Sequence, residues 1–461
     1  MKFINRQKEL EFLEKKWLSH VPQLVIIYGK RRVGKTELIK NFIKNKTACY
    51  FLADKRNETE QLKELGQLIG QHFQDSILIS RGFNNWLEVF QYLKEKAKKP
   101  FILVIDEFPY LVENNKAISS LFQKGWDDYL KDTNVFLIIS GSSMAMMETE
   151  TLIYKSPLYG RRTGQILLKP FLFQEARQFF PQKSFSEFLA IFTIVGGIPA
   201  YLLEIDPDIS WRENIKEKIF SKTEFLHNEI EFILKEELRE PKNYLAILRA
   251  ISLNKHKFSE ISNETGLARN ILTKYLNTLE RLQLVIKEIT VTEKNPAKSK
   301  KGFYKIADNY FNFWFKYIFP YKSFLEMERY LEINRKIKES FNILQSFVYE
   351  KVCRELIWDW QNKIFPLERA GRWWDREKEI DIVAVNSQTN QILFGEAKWT
   401  EKQIGTNIYQ DLKKKAKEVR WGDKKRQEYY ILFGKNGFTK DMKKIAQEEK
   451  VFLVEQDKIV N

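Results

Sequence analysis

Cysteine is almost absent: Cys49 and Cys353 are the only two in 461 residues. That scarcity excludes a disulfide framework and a zinc site built on several cysteines. It points to a reducing, cytoplasmic setting. Histidine is nearly as rare, and His20, His72, His227 and His256 show no metal-ligand spacing. No apolar run reaches about 18 residues, the length a membrane helix needs, so no membrane span is expected. Residues 1–9 lack the apolar stretch of a secretory signal. Internal repeats are missing, and the only biased tracts are short lysine clusters.

What is present is a chain that can fold. Hydrophobic residues make up 43% and charged residues 30%, enough for sizeable cores and against wholesale disorder. The length predicts about three domains. Lys plus Arg is 77 against 61 Asp plus Glu, a formal charge of +16. Such an excess favours a polyanionic partner, most simply nucleic acid, with DNA the expected one. A solvated basic surface explains the charge equally well, so its placement has to decide.

Three short apolar runs, at residues 24–28, 101–105 and 135–139, are separated by helical periodicity. They read as buried parallel strands of an α/β, doubly wound sheet with helices on both faces. Residues 170–239 turn helical, interrupted by Gly196-Gly197-Ile198-Pro199. Short helices and a hairpin follow over 240–310. An aromatic stretch at 311–334 reads as a packing seam between domains, and a second α/β segment occupies 335–461.

The first run leads into Gly29-Lys30-Arg31-Arg32-Val33-Gly34-Lys35-Thr36, which fits GxxxxGK[ST] at every defined position. A strand before it and a helix after it are the context this motif requires. Glycines let main-chain N–H groups turn inward around phosphates, and the helix N-terminus adds partial positive charge. Lys35 is expected to reach the β- and γ-phosphates of ATP, and Thr36 to ligate Mg²⁺. The second run ends in Asp106-Glu107. Asp106 would hold the magnesium and Glu107 would polarise the attacking water. The third ends in Ser140-Gly141-Ser142, where Ser140 or Ser142 would sit beside the γ-phosphate.

These pieces, with Phe3-Ile4-Asn5-Arg6, Glu9-Leu10, residues 156–163 and Gly196-Gly197-Ile198-Pro199, give the chain its resemblance. It resembles the archaeal-type ATPase family in the STAND branch of P-loop NTPases, related to AAA+. The resemblance implies a helical lid over 170–239. It implies that Arg6 lies near the nucleotide base, that Gly197 and Pro199 line the adenine side, and that Arg161 senses phosphate charge. Its relatives include rings and switching monomers, so a homo-oligomer and a monomer both stay open.

Residues 258–282 have the spacing of a helix-turn-helix, with Gly266 at the turn. Residues 284–287 and 303–306 would be the strands of a wing. Between them residues 294–305 carry five lysines and no acid, a composition suited to phosphate contacts. The candidate reading helix, with Arg269, Lys274 and Arg281, is only modestly basic.

Further on, Glu379-Ile380-Asp381 and Glu396-Ala397-Lys398-Trp399 lie on two strands joined by a polar turn. Asp381 comes early on one strand and Glu396 late on the next, so an antiparallel pair brings them together. Glu396 and Lys398 share a face. ExK alone is weak here, since Glu14-Lys15-Lys16 and Glu448-Glu449-Lys450 also fit it. The strand setting and the flanking helices make the third instance resemble a PD-(D/E)xK, restriction-endonuclease-like domain. On that resemblance Asp381, Glu396 and the Ala397 carbonyl would hold Mg²⁺ or Mn²⁺. Lys398 would orient water or stabilise phosphorane charge, Glu350 would join from an upstream helix, and Gln410 from a downstream one. Residues 410–426, with eight basic and three acidic side chains, read as a helix that would lie along DNA or face solvent.

The functions in contention are an ATP-controlled DNA nuclease, a STAND-type switch or DNA-binding regulator with an inactive nuclease-like domain, and an ATP-driven protein scaffold.

Overall fold

The computed structural model describes residues 3–238, 240–299, 301–423 and 425–460. Arg239, at the expected end of the lid, and Lys300, in the basic loop, lie outside the described residues. The chain divides into two compact units, Met1–Pro170 with Ile198–Ala200, and Phe171–Gly197 with Tyr201–Asn461. Among the described residues no helix is long and apolar enough to cross a membrane.

In the first unit, β1 (Gln23–Tyr28), β2 (Ala48–Leu52), β3 (Phe101–Asp106), β4 (Val135–Gly141) and β5 (Gly164–Leu167) form one sheet. The order is β2-β3-β4-β1-β5, and every pairing is parallel. The three apolar runs are β1, β3 and β4, buried at every position. Their side chains alternate between two cores. Leu24, Ile26, Leu103, Ile105, Leu137 and Ile139 enter one. Val25, Ile27, Ile102, Val104, Phe136 and Ile138 enter the other, with Leu38, Ile39 and Phe42 of the helix Lys35–Ile43. Burial on both faces is why these strands read as continuous apolar runs. β2 and β5 are the sheet edges and only partly buried, so they gave no such run. The carboxyl ends of β1, β3 and β4 carry the P-loop, Asp106 and Ser140, the end at which ligands bind in open α/β sheets.

The second unit opens with the helical segment that the resemblance reads as a lid. Its helix Phe185–Val195 is capped by Ser184, reciprocally with Glu187, and nearly all its residues are buried. The chain leaves it through Gly196 and Gly197. The Phe171 N–H donates to the Gly197 carbonyl at 2.8 Å. A Cβ on Gly197 would fall 1.9 Å from the Phe171 carbonyl oxygen. Gly197→Ala is therefore expected to destabilise the protein by about 2–3 kcal/mol, the cost of forced overpacking, measured by urea unfolding.

Helices Lys242–Ser252, Phe258–Thr265 and Arg269–Arg281 follow. The turn at Gly266 has φ +68°, the left-handed geometry glycine favours. An antiparallel pair, β6 (Val285–Glu288) and β7 (Phe303–Ile306), completes this segment. The aromatic stretch is the helix Asn309–Tyr317. Asp308 caps it, accepting from the Tyr310 and Phe311 N–H groups at 2.8 and 3.1 Å. Its rings are buried against the helices Phe185–Val195 and Lys242–Ser252.

A six-stranded mixed sheet ends the unit: β8 (Arg369–Asp375), β9 (Lys378–Asn386), β10 (Gln391–Lys398), β11 (Gln427–Gly434), β12 (Phe452–Glu455) and β13 (Lys458–Ile459). The order is β13-β12-β11-β10-β9-β8. β8, β9 and β10 pair antiparallel, whereas β10, β11 and β12 pair parallel. The helices Tyr330–Leu356 and Thr406–Ala416 pack on it. The helix expected over 410–426 stops at Ala416. Arg426 folds back and donates to the carbonyls of Ala416, Val419 and Trp421, so its charge serves the helix end.

The β6–β7 hairpin is tied to β8. Arg372 donates to Glu288 at 3.2 Å and to Glu379 at 2.6 Å, and Lys305 pairs with Glu288 at 2.7 Å. The Val291 N–H donates to the Arg372 carbonyl at 3.0 Å.

Candidate active sites

The P-loop turns where its glycines allow it. A Cβ on Gly29 would lie 2.3 Å from the Leu168 carbonyl oxygen, and Gly34 has φ +92°. The loop closes onto the N-terminus of the helix Lys35–Ile43. Lys35 is buried, and its ammonium donates to the carbonyls of Gly29 and Lys30, both at 3.0 Å. The Thr36 hydroxyl donates to Asp106 Oδ2 at 2.9 Å. A hydroxyl and a buried carboxylate thus stand together, the hard-oxygen pair that suits Mg²⁺.

Other residues secure this arrangement. Arg6 is buried, and its guanidinium donates to the Lys169 carbonyl at 2.6 Å and to that of Val33 at 3.2 Å. It therefore ties the P-loop to the end of the core. Pro199 lies against the loop, its Cγ 3.9 Å from where a Gly34 Cβ would be. The Ser140 hydroxyl is buried and has no hydrogen-bond partner among the described residues. It lies on the face of β4 shared by Phe136 and Ile138, toward the P-loop helix. A phosphate oxygen is the kind of acceptor that would satisfy it. Ser142 has a different job: its N–H and hydroxyl donate to Glu107 Oε2 at 3.2 and 2.8 Å. Glu107 itself has φ +54°, an uncommon conformation for a side-chain-bearing residue. Arg161 is paired with Asp127 at 2.9 Å. Arg162 stacks over the Tyr159 ring.

Tyr50 was not foreseen. Its hydroxyl donates to Asp106 Oδ2 at 2.5 Å. Burial and this bond push the phenol above its ordinary value. Tyr50 and Asp106 lie on adjacent strands, with Leu52 opposite Asp106 in the register.

The second constellation is at the ends of β9 and β10. Gly395 pairs with Ile382, which carries the pairing to Glu396 opposite Asp381. Both carboxylates are buried, with 4% of Asp381 and 2% of Glu396 exposed. Asp381 Oδ2 accepts from the Ala397 N–H at 3.1 Å. The Lys398 ammonium lies 2.8 Å from Glu396 Oε2 and 3.6 Å from Asp381 Oδ2. Lys415 reaches Glu396 Oε1 at 2.7 Å from the helix Thr406–Ala416. On the helix Tyr330–Leu356, Arg354 donates to the Asp381 carbonyl at 2.8 Å. Tyr349 of that helix, Trp399 and Phe185 pack as three rings against one another.

Crowded carboxyls cannot all ionise freely. Burial, then the Asp381 charge, raises Glu350 to about 8. The same two causes raise Glu396. Burial opposes ionisation of Asp381, but the hydrogen bond with Glu396 and the Lys398 charge hold it below the usual range. Lys398 is held above its ordinary value, the charges of Asp381 and Glu396 outweighing burial. Two close carboxylates are a hard-oxygen donor set that fits a divalent cation. Among the described residues no three His, Cys, Asp or Glu side chains gather as a metal cluster, so the fit rests on this pair and the Ala397 carbonyl. Gln410 is exposed. Lys415, five residues on, is the side chain of that helix that enters the site, and the sequence reading missed it among neighbouring lysines.

The fold and the P-loop define the first unit as a P-loop ATPase of archaeal type. Residues 3–205 match the family model of an ATPase domain found predominantly in Archaea. Residues 314–426 match a family described as archaeal and bacterial proteins of unknown function. The chain belongs to the family that includes an uncharacterized protein of Methanocaldococcus jannaschii, 36% identical over 444 residues, 95% of this chain and 97% of that one. An uncharacterized ATP-binding protein of the same organism is 61% identical over 44 residues, 10% of this chain and 75% of that one. Among solved structures, the Walker-type ATPase of Pyrococcus abyssi is similar in fold, with a TM-score of 0.51 and 24% identity. The match covers 67% of this chain and 95% of that one.

Proposed function

We propose that this protein binds and hydrolyses Mg-ATP at the P-loop and thereby controls a metal-dependent, nuclease-type site in its C-terminal domain, with DNA held in part by a winged helix. The observation that carries the reading is the meeting of Asp381, Glu396 and Lys398 on adjacent strand ends in a chain that also has a complete P-loop.

At the P-loop, main-chain N–H groups and Lys35 would hold phosphates, and Thr36 with Asp106 would hold Mg²⁺. Glu107 would take the proton of the attacking water, with Ser142 setting its carboxylate. Arg6 would steady the loop, and Arg161 would respond to phosphate charge after leaving Asp127. At the second site Asp381, Glu396 and the Ala397 carbonyl would hold Mg²⁺ or Mn²⁺, which when bound lowers the pKa of water and offsets phosphate charge. Hydrolysis adds one water across a P–O bond: its oxygen joins phosphorus, and the bridging oxygen leaves with a proton. Lys398 would orient the water or stabilise the charge that builds up. Glu350, held largely protonated at neutral pH, would sit behind Asp381.

Three helices followed by an antiparallel hairpin support the winged-helix reading. Arg269, Lys274 and Arg281 are exposed, as are Lys294, Lys298 and Lys301 of the loop. Lys305 is committed to Glu288. Replacing Lys294, Lys298 and Lys301 by glutamine is expected to weaken DNA binding. It should also flatten the log–log salt slope by about 0.9 for each phosphate that is no longer neutralised. Fluorescence anisotropy over a salt series measures this, and an unchanged slope removes the loop from the interface.

A second reading is a STAND-type ATP-dependent switch or DNA-binding regulator whose nuclease-like domain does not cut. The ammonium on each oxygen of Glu396 favours it, since both must yield before a metal enters. Pure protein incubated with several DNA forms, with and without ATP and Mn²⁺, separates the two readings. Nicking that disappears with Asp381 supports the first, and DNA binding without nicking supports the second.

A further inference from the structure

We propose that Lys415 is a second phosphate-binding cation of the C-terminal site, held on Glu396 until a divalent cation takes that carboxylate and then paired with a nucleic-acid phosphodiester. The inference rests on the nuclease-type reading of Asp381, Glu396 and Lys398.

Lys415 enters from a different element. Its ammonium spans 19 residues of sequence to reach Glu396 Oε1 at 2.7 Å, while Lys398 takes Oε2 at 2.8 Å. Neighbouring lysines are used otherwise: Lys413 pairs with Glu449 at 2.7 Å, and Lys414 is exposed. Lys415 also touches Asp411, one turn earlier, at 2.9 Å. Its side chain keeps 22% of its surface open, against 3% for Glu396, so it lies between the buried carboxylate and solvent.

Charge balance gives the second ammonium a role. One ammonium is enough to neutralise one buried carboxylate. Here Asp381 and Glu396 carry two negative charges, Lys398 and Lys415 two positive ones, and Asp411 and Arg354 add one of each sign, with Glu350 held largely protonated. A divalent cation on the carboxylates leaves a surplus of two positive charges. The phosphorane formed in phosphodiester hydrolysis carries two negative charges, so the two released lysines would balance it. A compact ammonium on a flexible stem can make that shift.

The test uses the full-length protein without nucleotide. Mn²⁺ binding is followed by electron paramagnetic resonance, and affinity for labelled duplex DNA is measured in Ca²⁺. Asp381→Asn is expected to lose the Mn²⁺ site, which identifies the signal. Lys415→Met removes a competitor for Glu396, so Mn²⁺ should bind more tightly. DNA affinity should fall about tenfold, the worth of one charge-assisted contact. Lys415→Arg should restore DNA affinity. If Lys415→Met leaves DNA affinity intact, or weakens Mn²⁺ and DNA binding together without rescue by arginine, the assignment is overturned while the nuclease-type reading stands. If the wild-type protein binds no Mn²⁺ through Asp381, both are overturned.

Discussion

Lys35→Ala is expected to reduce ATP hydrolysis about a hundred- to a thousandfold, the usual cost of removing one preorganised charge stabiliser. The ammonium is already gathered by the Gly29 and Lys30 carbonyls at 3.0 Å, so little reorganisation precedes its use on a phosphate. Truncation also leaves those carbonyls without their donor and loosens the loop. Phosphate release under steady state gives the rate, and calorimetry with ADP gives the affinity. Turnover at the wild-type level would contradict the assignment of the nucleotide site. The same variant tests coupling: metal-dependent cleavage that matches wild type both with and without ATP would mean that the two sites act independently.

If the C-terminal site cuts DNA as proposed, Asp381→Ala is expected to bring Mn²⁺-dependent nicking down to background. A metal ligand supports several kcal/mol of transition-state charge stabilisation. At about 1.4 kcal/mol per tenfold change in rate, the loss is at least about a thousandfold. Asp381 accepts from the Ala397 N–H and lies 3.6 Å from Lys398, so its removal also frees two neighbouring groups of the proposed site. Circular dichroism controls for the fold. Nicking that survives in this variant belongs to another site or to a contaminant.

Much of the first unit was legible because its signals are local. The strand before Gly29 and the helix after Thr36 are contiguous with the motif, and the buried central strands betray themselves by unbroken apolar runs. The edge strands β2 and β5 were not legible, since half-exposed strands carry no such run. The Asp381 and Glu396 strands were readable from the polar turn between them, which sets an antiparallel register. The helix end at Ala416 was not, because a distant guanidinium, Arg426, takes up its carbonyls.

The sequence by itself determined the phosphate loop, the acidic strand ends and the hairpin that pairs Asp381 with Glu396, all set by residues near one another along the chain. Only the tertiary structure decided which further side chains enter these sites. Tyr50 meets Asp106 across 56 residues, Ser142 holds Glu107 across 35, and Lys415 reaches Glu396 across 19. Tyrosines, serines and lysines are common, and no spacing marks these three. Strand register and helix placement bring them within hydrogen-bond distance, and packing, rather than any local pattern, sets both.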